Sequence, residues 1–398
     1  MEKDKTNWIL VFVLWFAGIT AAMQFAKFSV AFDLLKNQYS AGTFWTGLSL
    51  SIVGFVGLIF GITVSIYISK IGHKKVLLAS LLLGATISFV QALNPAFSVL
   101  FISRIIEGIS HLGIVVTAPI IMVLASSKKH QSLVMGLWSS FFGVAFSITA
   151  WIGKPVFELY SVYALFLIHA LLMTILLIAL ILLLKKMNIR HTEEEQVPFF
   201  VAHKNVYSNW RTFSPGLLFL FHTFMFMALL TFLPGLSGNE NTKNLLLVIL
   251  PLISIAGTIV AGITSQYFIS PSKLSTIAFI SLIALISVIS FSFNNITLFV
   301  SASMVLILFS GIIQGSVFSL IPNISLTTKD QTNAYGAVAQ LGNLGSTLGP
   351  PTFSYFLVFG KSSLIIIIIL FSILGAISGF FITKRIKDCG LPGCEHRV

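Results

Sequence analysis

Residues 97–126 read FSVLFISRIIEGISHLGIVVTAPIIMVLAS, an apolar run of 30 residues whose only formal charges are Arg104 and Glu107, with His111 one turn further on. Crossing a hydrocarbon core of roughly 30 Å takes about 20 helical residues, so this run is long enough to span a bilayer. Lipid offers no partner for free backbone groups, which leaves helix as the conformation for such a run. At i, i+3 and i+7, Arg104, Glu107 and His111 share one helical face. An ionisable group at mid-membrane costs about 2.5–3.5 kcal/mol on insertion scales, so that face must look inward, and function is its default reading.

The rest of the chain is of the same kind. Hydrophobic residues make up 56% of the 398 and charged residues 9%, where a soluble domain carries about 25% charged residues. The apolar runs do not alternate with period two, which excludes a membrane β-barrel. Spans are expected near 8–33, 43–69, 76–95, 98–126, 132–154 and 160–184, and again near 214–236, 244–269, 274–293, 297–325, 334–359 and 362–383. The expected fold class is an all-α membrane protein of 12 transmembrane helices in two six-helix halves. The halves are residues 1–184 and 214–383, joined by a polar linker, 185–213, and followed by a tail, 384–398. Lys3 and Lys5 precede the first run as in a signal peptide, but that run continues to Phe32. It exceeds a signal core of 7–15 residues and is expected to stay as span 1.

With the N-terminus in the cytoplasm, 18 of the 24 Lys and Arg residues fall on the cytoplasmic side. Lys36, Lys154, Lys243 and Lys361 face the other way, and Lys27 and Arg104 lie within spans. This asymmetry places both termini in the cytoplasm of a bacterial inner membrane. It also accounts for the net charge of +12 without nucleic acid, because the basic residues punctuate spans rather than gather on one soluble face. Glu193-Glu194-Glu195 belong to a solvated linker. Cys389 and Cys394, with His396 beside them, have a spacing that a metal accepts, but two idle thiols in a tail are expected, with no cofactor.

The halves repeat one another. Gly61-Ile62-Thr63 in span 2 returns as Gly262-Ile263-Thr264 in span 8, and Ile105-Ile106-Glu107-Gly108 in span 4 returns as Ile312-Ile313-Gln314-Gly315 in span 10. Both matches fall on equivalent spans about half a chain apart, the pattern of parallel transporter repeats.

Between spans 2 and 3 stands Ser65-Ile66-Tyr67-Ile68-Ser69-Lys70-Ile71-Gly72-His73-Lys74-Lys75. This stretch resembles the loop signature of the major facilitator superfamily, with Lys70, Gly72, Lys74 and Lys75 in place. Ser65 stands for its first glycine and Ser69 for its acidic residue, so the cytoplasmic latch that the resemblance implies is differently built. Leu100, Arg104, Glu107 and Gly108 match the spacing of the family's span 4 signature. Gly342, Gly345, Gly349, Pro350 and Pro351 in span 11 resemble a gating helix of these proteins. Span 5, with Gly136, Gly143 and Gly153-Lys154-Pro155, lacks the glycine-proline pattern of drug antiporters. Gln24-Phe25-Ala26-Lys27 together with residues 104–108 resembles a bacterial branch of the superfamily, some of whose relatives move siderophores or other small organic anions.

The resemblance implies a secondary transporter that alternates access around a central site supplied by spans 1, 4, 7 and 10. The substrate-binding candidates are Lys27, Arg104, His111, His222, Gln24, Gln314 and Gln340, with Asn343 as a further polar lining group. Glu107 and His111 are the proton-coupling candidates. Lys70, Gly72, Lys74, Gly349 and Pro350 are the gating candidates. Two readings stand for Lys27: it snorkels to the outer headgroups, with Asp33 nearby, or it faces the cavity and gives an anion-binding pocket together with Arg104. Arg104 and Glu107 also admit a structural reading, as a mutually neutralised pair. His169 is assigned to packing or an interhelical hydrogen bond. The 37 Phe residues are assigned to lipid contact and packing. The expected partners are a small, anionic solute, membrane lipid and a proton gradient, and the expected state is a monomer. No nucleotide-binding glycine-lysine motif is present, so no ATP hydrolysis is expected. The rival classes are a drug-type efflux transporter, an intramembrane enzyme using His111 and Glu107 on a lipid, and a ligand sensor descended from transporters.

Overall fold

Long apolar runs opened by asparagine set the architecture. Asn7, Asn209, Asn239 and Asn295 each accept a backbone N–H of the helix that follows, at 2.9–3.2 Å, satisfying donors that lipid cannot. The computed structural model describes residues 5–39, 42–185, 198–357 and 359–388. Glu193-Glu194-Glu195, Cys389, Cys394 and His396 lie outside the described residues. Among the described residues every regular element is helical.

The helices in chain order are α1 (Trp8–Val30), α2 (Phe32–Tyr39), α3 (Gly42–Ile71), α4 (His73–Ala92), α5 (Phe97–Leu124), α6 (Gln131–Ser139), α7 (Phe141–Leu159) and α8 (Val162–Leu184). They continue as α9 (Phe199–Ser208), α10 (Trp210–Phe232), α11 (Glu240–Tyr267), α12 (Pro271–Phe291), α13 (Ile296–Ile324), α14 (Thr328–Leu357) and α15 (Lys361–Asp388). Ten helical stretches among the described residues are long and apolar enough to cross a membrane, with α6 and α7 counted as one. The 30-residue helices α3 and α14 correspond to the expected spans 43–69 and 334–359.

Three departures from the sequence reading have local causes. The first span ends at Ala31, whose N–H turns back to Lys27 O, and α2 starts on the more polar stretch that follows. The fifth breaks at Ser140, whose N–H reaches Leu137 O in a tighter turn than an α-helix makes. The polar linker contains a helix of its own, α9.

The chain divides into two compact units, Met1–Ser127 with Val144–Lys204, and Lys128–Gly143 with Asn205–Val398. In the first, α5 packs on α1, α3 and α4, and α8 packs on α1 and α4. In the second, α13 packs on α10, α11 and α12, and α15 packs on α10 and α12. The order of pairing is the same, which is the repeat seen in the sequence. The matched glycines explain part of it. A Cβ on Gly108 would lie 2.9 Å from Val53 O of α3, and one on Gly315 would lie 2.7 Å from Thr258 O of α11. Each glycine lets two helix backbones approach where no side chain fits.

A single residue, Gly72, joins α3 to α4, with φ +103°. Other residues are strained in that region, so the glycine of the loop signature answers a steric demand. At one end of the first unit, Phe28, Ala31, Leu35, Leu100, Val162 and Phe166 form a buried apolar cluster, and the site lies against it.

Candidate functional site

Three pairs of polar residues at i, i+3 spacing meet inside the first unit: Gln24 and Lys27 on α1, Ser88 and Gln91 on α4, Arg104 and Glu107 on α5. All six are buried, and Lys27, Arg104 and Glu107 are 0% exposed. Spacing of this kind aims two side chains per helix at a common centre one turn apart.

The centre is a charged triad. Lys27 Nζ lies 2.6 Å from Glu107 Oε1, and Arg104 Nη1 pairs directly with Glu107 Oε2. The two cations exceed the one carboxylate by a single positive charge. Arg104 is held further by Ser49 O at 2.9 Å and Gln24 O at 2.8 Å, with its guanidinium 3.8 Å from the Phe28 ring centroid. Gln91 Nε2 donates to both Ser103 Oγ and Glu107 Oε2 at 2.9 Å. Burial of this many charges is tolerable only because each meets an opposite charge or a hydrogen-bonding group.

The Lys27 ammonium also donates to Ser88 Oγ at 2.7 Å and Gln91 Oε1 at 2.8 Å. Its third neighbour besides Glu107 is His169 Nδ1 on α8, at 3.3 Å. His169 Nε2 lies 2.8 Å from Thr20 O. A carbonyl only accepts, so Nε2 carries the proton of the neutral ring and Nδ1 presents a lone pair to Lys27 and Ser88. Phe28 stacks on Phe166 at 5.2 Å, and Lys27 Nζ lies 5.3 Å from the Phe166 centroid, so this aromatic pair closes one side of the triad.

The structure therefore turns Lys27 inward, away from the snorkelling orientation. It brings Lys27, Arg104 and Glu107 together, with Gln24 behind them. Gln24 Nε2 donates to Ser110 Oγ at 3.0 Å, while its buried Oε1 has no hydrogen-bond partner among the described residues. His111 is buried one turn beyond Glu107, where its Nδ1 donates to Ala21 O at 2.9 Å and its ring meets Phe25 edge-on at 5.0 Å. Sequence reasoning missed Ser88, Gln91 and Ser103, while His169, assigned to packing or an interhelical hydrogen bond, bonds to Thr20 O of α1 and Ser88 Oγ of α4. The available signal was the i, i+3 polar pair inside an otherwise apolar span.

His222, Gln314 and Gln340 belong to the second unit. His222 on α10 stacks on Phe226 at 5.1 Å and lies near Phe219, with Ser310 Oγ 3.3 Å from Nδ1. Gln314 donates to Ser139 O at 2.8 Å. Gln340 accepts from Tyr207 at 3.1 Å, and Asn343 donates back to Ala339 O. Of the gating candidates, Lys74 donates to Leu184 O at 2.8 Å, tying the start of α4 to the end of α8. Lys70 is exposed, with Tyr67 beneath it. Gly349 lies against the backbone of Phe224, and Pro350 sits within α14.

Comparison with known proteins gives a consistent result. A family model described as Major Facilitator Superfamily matches residues 14–350. The arabinose-proton symporter of Bacillus subtilis is 34% identical over 93 residues, a match covering 23% of this chain and 20% of the symporter. The crystal structure of the human organic anion transporter MFSD10 (TETRAN) is similar with a TM-score of 0.74 at 13% identity, over 93% of this chain and 98% of that one. FucP in its outward conformation is similar with a TM-score of 0.75 at 14% identity over the same shares, 93% and 98%. A second structure of that protein, the Escherichia coli fucose:proton symporter, gives 0.69 at 15% identity over 92% and 98%. At these identities the structural likeness is one of fold.

Proposed function

This chain belongs to the Major Facilitator Superfamily and is a multi-pass membrane transporter rather than an enzyme, and we propose that it moves a small organic anion across a bacterial inner membrane with a proton. The observation that carries this reading is the buried Lys27–Glu107–Arg104 triad with its excess positive charge. In a low-dielectric interior that charge acts over a longer range than it would in water. It favours an anionic solute while the triad keeps its single excess positive charge and loses that preference when one proton leaves. Solute and proton therefore travel together. The proton coupling named for the arabinose and fucose symporters, and the organic anions named for the human transporter, agree with this reading.

Transport proceeds by alternating access of the two six-helix halves, 1–184 and 214–383, with the 185–213 linker and both termini in the cytoplasm and the protein acting as a monomer. His111, His222, Gln24, Gln314 and Gln340 are the polar groups offered to the solute. Lys70, Gly72 and Lys74, with Gly349 and Pro350, are the gating positions. Polycarboxylates, siderophores among them, are the anions whose charge suits the triad best.

The test is thermal stabilisation of the purified protein by citrate, a carboxylate siderophore, fucose and tetraphenylphosphonium, repeated in Arg104→Lys. Stabilisation by an anion that the variant loses supports the reading. Stabilisation by the organic cation alone, kept in the variant, would point to drug-type efflux with Arg104 in a structural role. In proteoliposomes, Glu107→Gln is expected to abolish uptake driven by a pH gradient because it leaves Lys27 and Arg104 without their counter-charge, and unchanged uptake would remove the triad from the coupling.

A further inference from the structure

Building on the proton-coupled reading, we propose that the coupling proton is carried by Lys27 and not by Glu107, and that Ser88 passes it to His169. The geometry around Lys27 is directional. Its ammonium is ion-paired with Glu107 Oε1 at 2.6 Å and donates to Ser88 Oγ at 2.7 Å and Gln91 Oε1 at 2.8 Å, with His169 Nδ1 further off at 3.3 Å. Ser88, having accepted from Lys27, keeps its own O–H for His169 Nδ1, 2.7 Å away. Nδ1 is the free acceptor because Nε2–H is committed to Thr20 O. Three groups on α1, α4 and α8 thus form a wire in which every donor faces an acceptor.

The step balances without any further reactant. An N–H bond of the Lys27 ammonium breaks as its proton moves to Ser88 Oγ, and the original Ser88 proton moves to His169 Nδ1. Lys27 is left as a neutral amine whose lone pair accepts from the new Ser88 O–H. His169 becomes an imidazolium donating from Nε2 to Thr20 O and from Nδ1 to Ser88 Oγ. One positive charge has moved from Lys27 to His169, toward the N-terminal half of α1, and no bond in the wire is left unmatched.

The alternative carrier is poorly placed. Glu107 is gripped by Lys27 and Arg104 and accepts from Gln91 as well, so a proton on it would leave two buried cations without a counter-charge. Arg104 does not release its proton in proteins. The groups facing Lys27 among the described residues are Ser88 and Gln91 on α4, Glu107 and Arg104 on α5, and His169 with the Phe166 ring on α8. His111, the other titratable group of α5 nearby, is turned to Ala21 O. Lys27 and His169 are therefore the pair able to exchange a proton.

The full-length protein in lipid nanodiscs, with no solute added, tests this. Difference titration between wild type and Lys27→Arg is expected to show about one extra proton released by the wild type within the pH range of driven transport, because arginine keeps its proton. Ser88→Ala keeps both ends of the wire but removes its middle. It is expected to slow that release about tenfold or more after a pH jump, at an unchanged proton count. Infrared spectra of the wild type alone give a readout that needs no variant to fold. The expected result is no protonated carboxyl band above about pH 6, where ordinary carboxylates are ionised. Such a band, or identical titrations of wild type and Lys27→Arg, would overturn Lys27 as the carrier and leave the transport reading standing. Failure of the transport reading would instead show as no pH-driven uptake of any solute by the wild type, whatever the titration gives.

Discussion

Removing the two ends of the Lys27–Glu107 pair singly and together gives a sharp measure of how the first unit is held. At 2.6 Å and an effective dielectric of about 20, the pair's direct attraction is about 6 kcal/mol. Desolvation cancels part of it, leaving a coupling of about 3 kcal/mol. The charge balance sets the order of the variants. Lys27→Met leaves Arg104 and Glu107 as a neutral pair and is expected to cost about 2 kcal/mol, chiefly by stranding Ser88 and Gln91. Glu107→Gln leaves two buried cations facing each other and is expected to cost about 4 kcal/mol. Combining the two removes one of those cations, so the double variant is expected to lose about 3 kcal/mol, less than Glu107→Gln alone. Reversible unfolding in mixed micelles, followed by tryptophan fluorescence, measures all four proteins. A double variant that loses the sum of the single losses would refute the reasoning, because it would mean that the two groups do not interact.

Other consequences are simpler to state. Gly315→Val forces a branched side chain against the backbone of α11 at Thr258; a loss of about 1–3 kcal/mol is expected, and wild-type stability in the same unfolding assay would contradict the close approach. Gly72→Ala places a Cβ at φ +103°, ψ +131° and is expected to cost about 1–3 kcal/mol, with Gly72→Asn no milder because asparagine's tolerance of positive φ is confined to the αL well; equal stability of all three would show that the connection between α3 and α4 relaxes freely.

The spans were legible because their lengths and apolar content answer to the thickness of a bilayer, and the Arg104–Glu107 pair because i, i+3 is a local relation. The partner of Lys27 was not legible. Its own expected span offered only Asp33 as a carboxylate, a residue that falls in α2, whereas the carboxylate that binds it is on α5 and the groups that finish its coordination are on α4 and α8. Contacts between distant helices leave no mark in local spacing. Ser88 and Gln91 were passed over for a related reason: serine and glutamine in a membrane helix are weak signals until the neighbour they serve is known. The break at Ser140 and the short helix α9 depend on single turns and on a polar composition that reads equally well as loop.

The two halves also differ where they match most closely. Gly108 and Gly315 occupy equivalent positions and do the same work, each admitting a neighbouring backbone. The residues just before them are Glu107 and Gln314, an anion amid two cations in one half and a neutral amide donating to Ser139 O in the other. A duplicated ancestor would explain this as packing kept and chemistry released. Once the glycine had fixed the spacing between helices, the adjoining position was free to become ionic in one copy and silent in the other. Division of labour between the halves then needed no new architecture, only one amide exchanged for one carboxylate beside a contact that both copies retained.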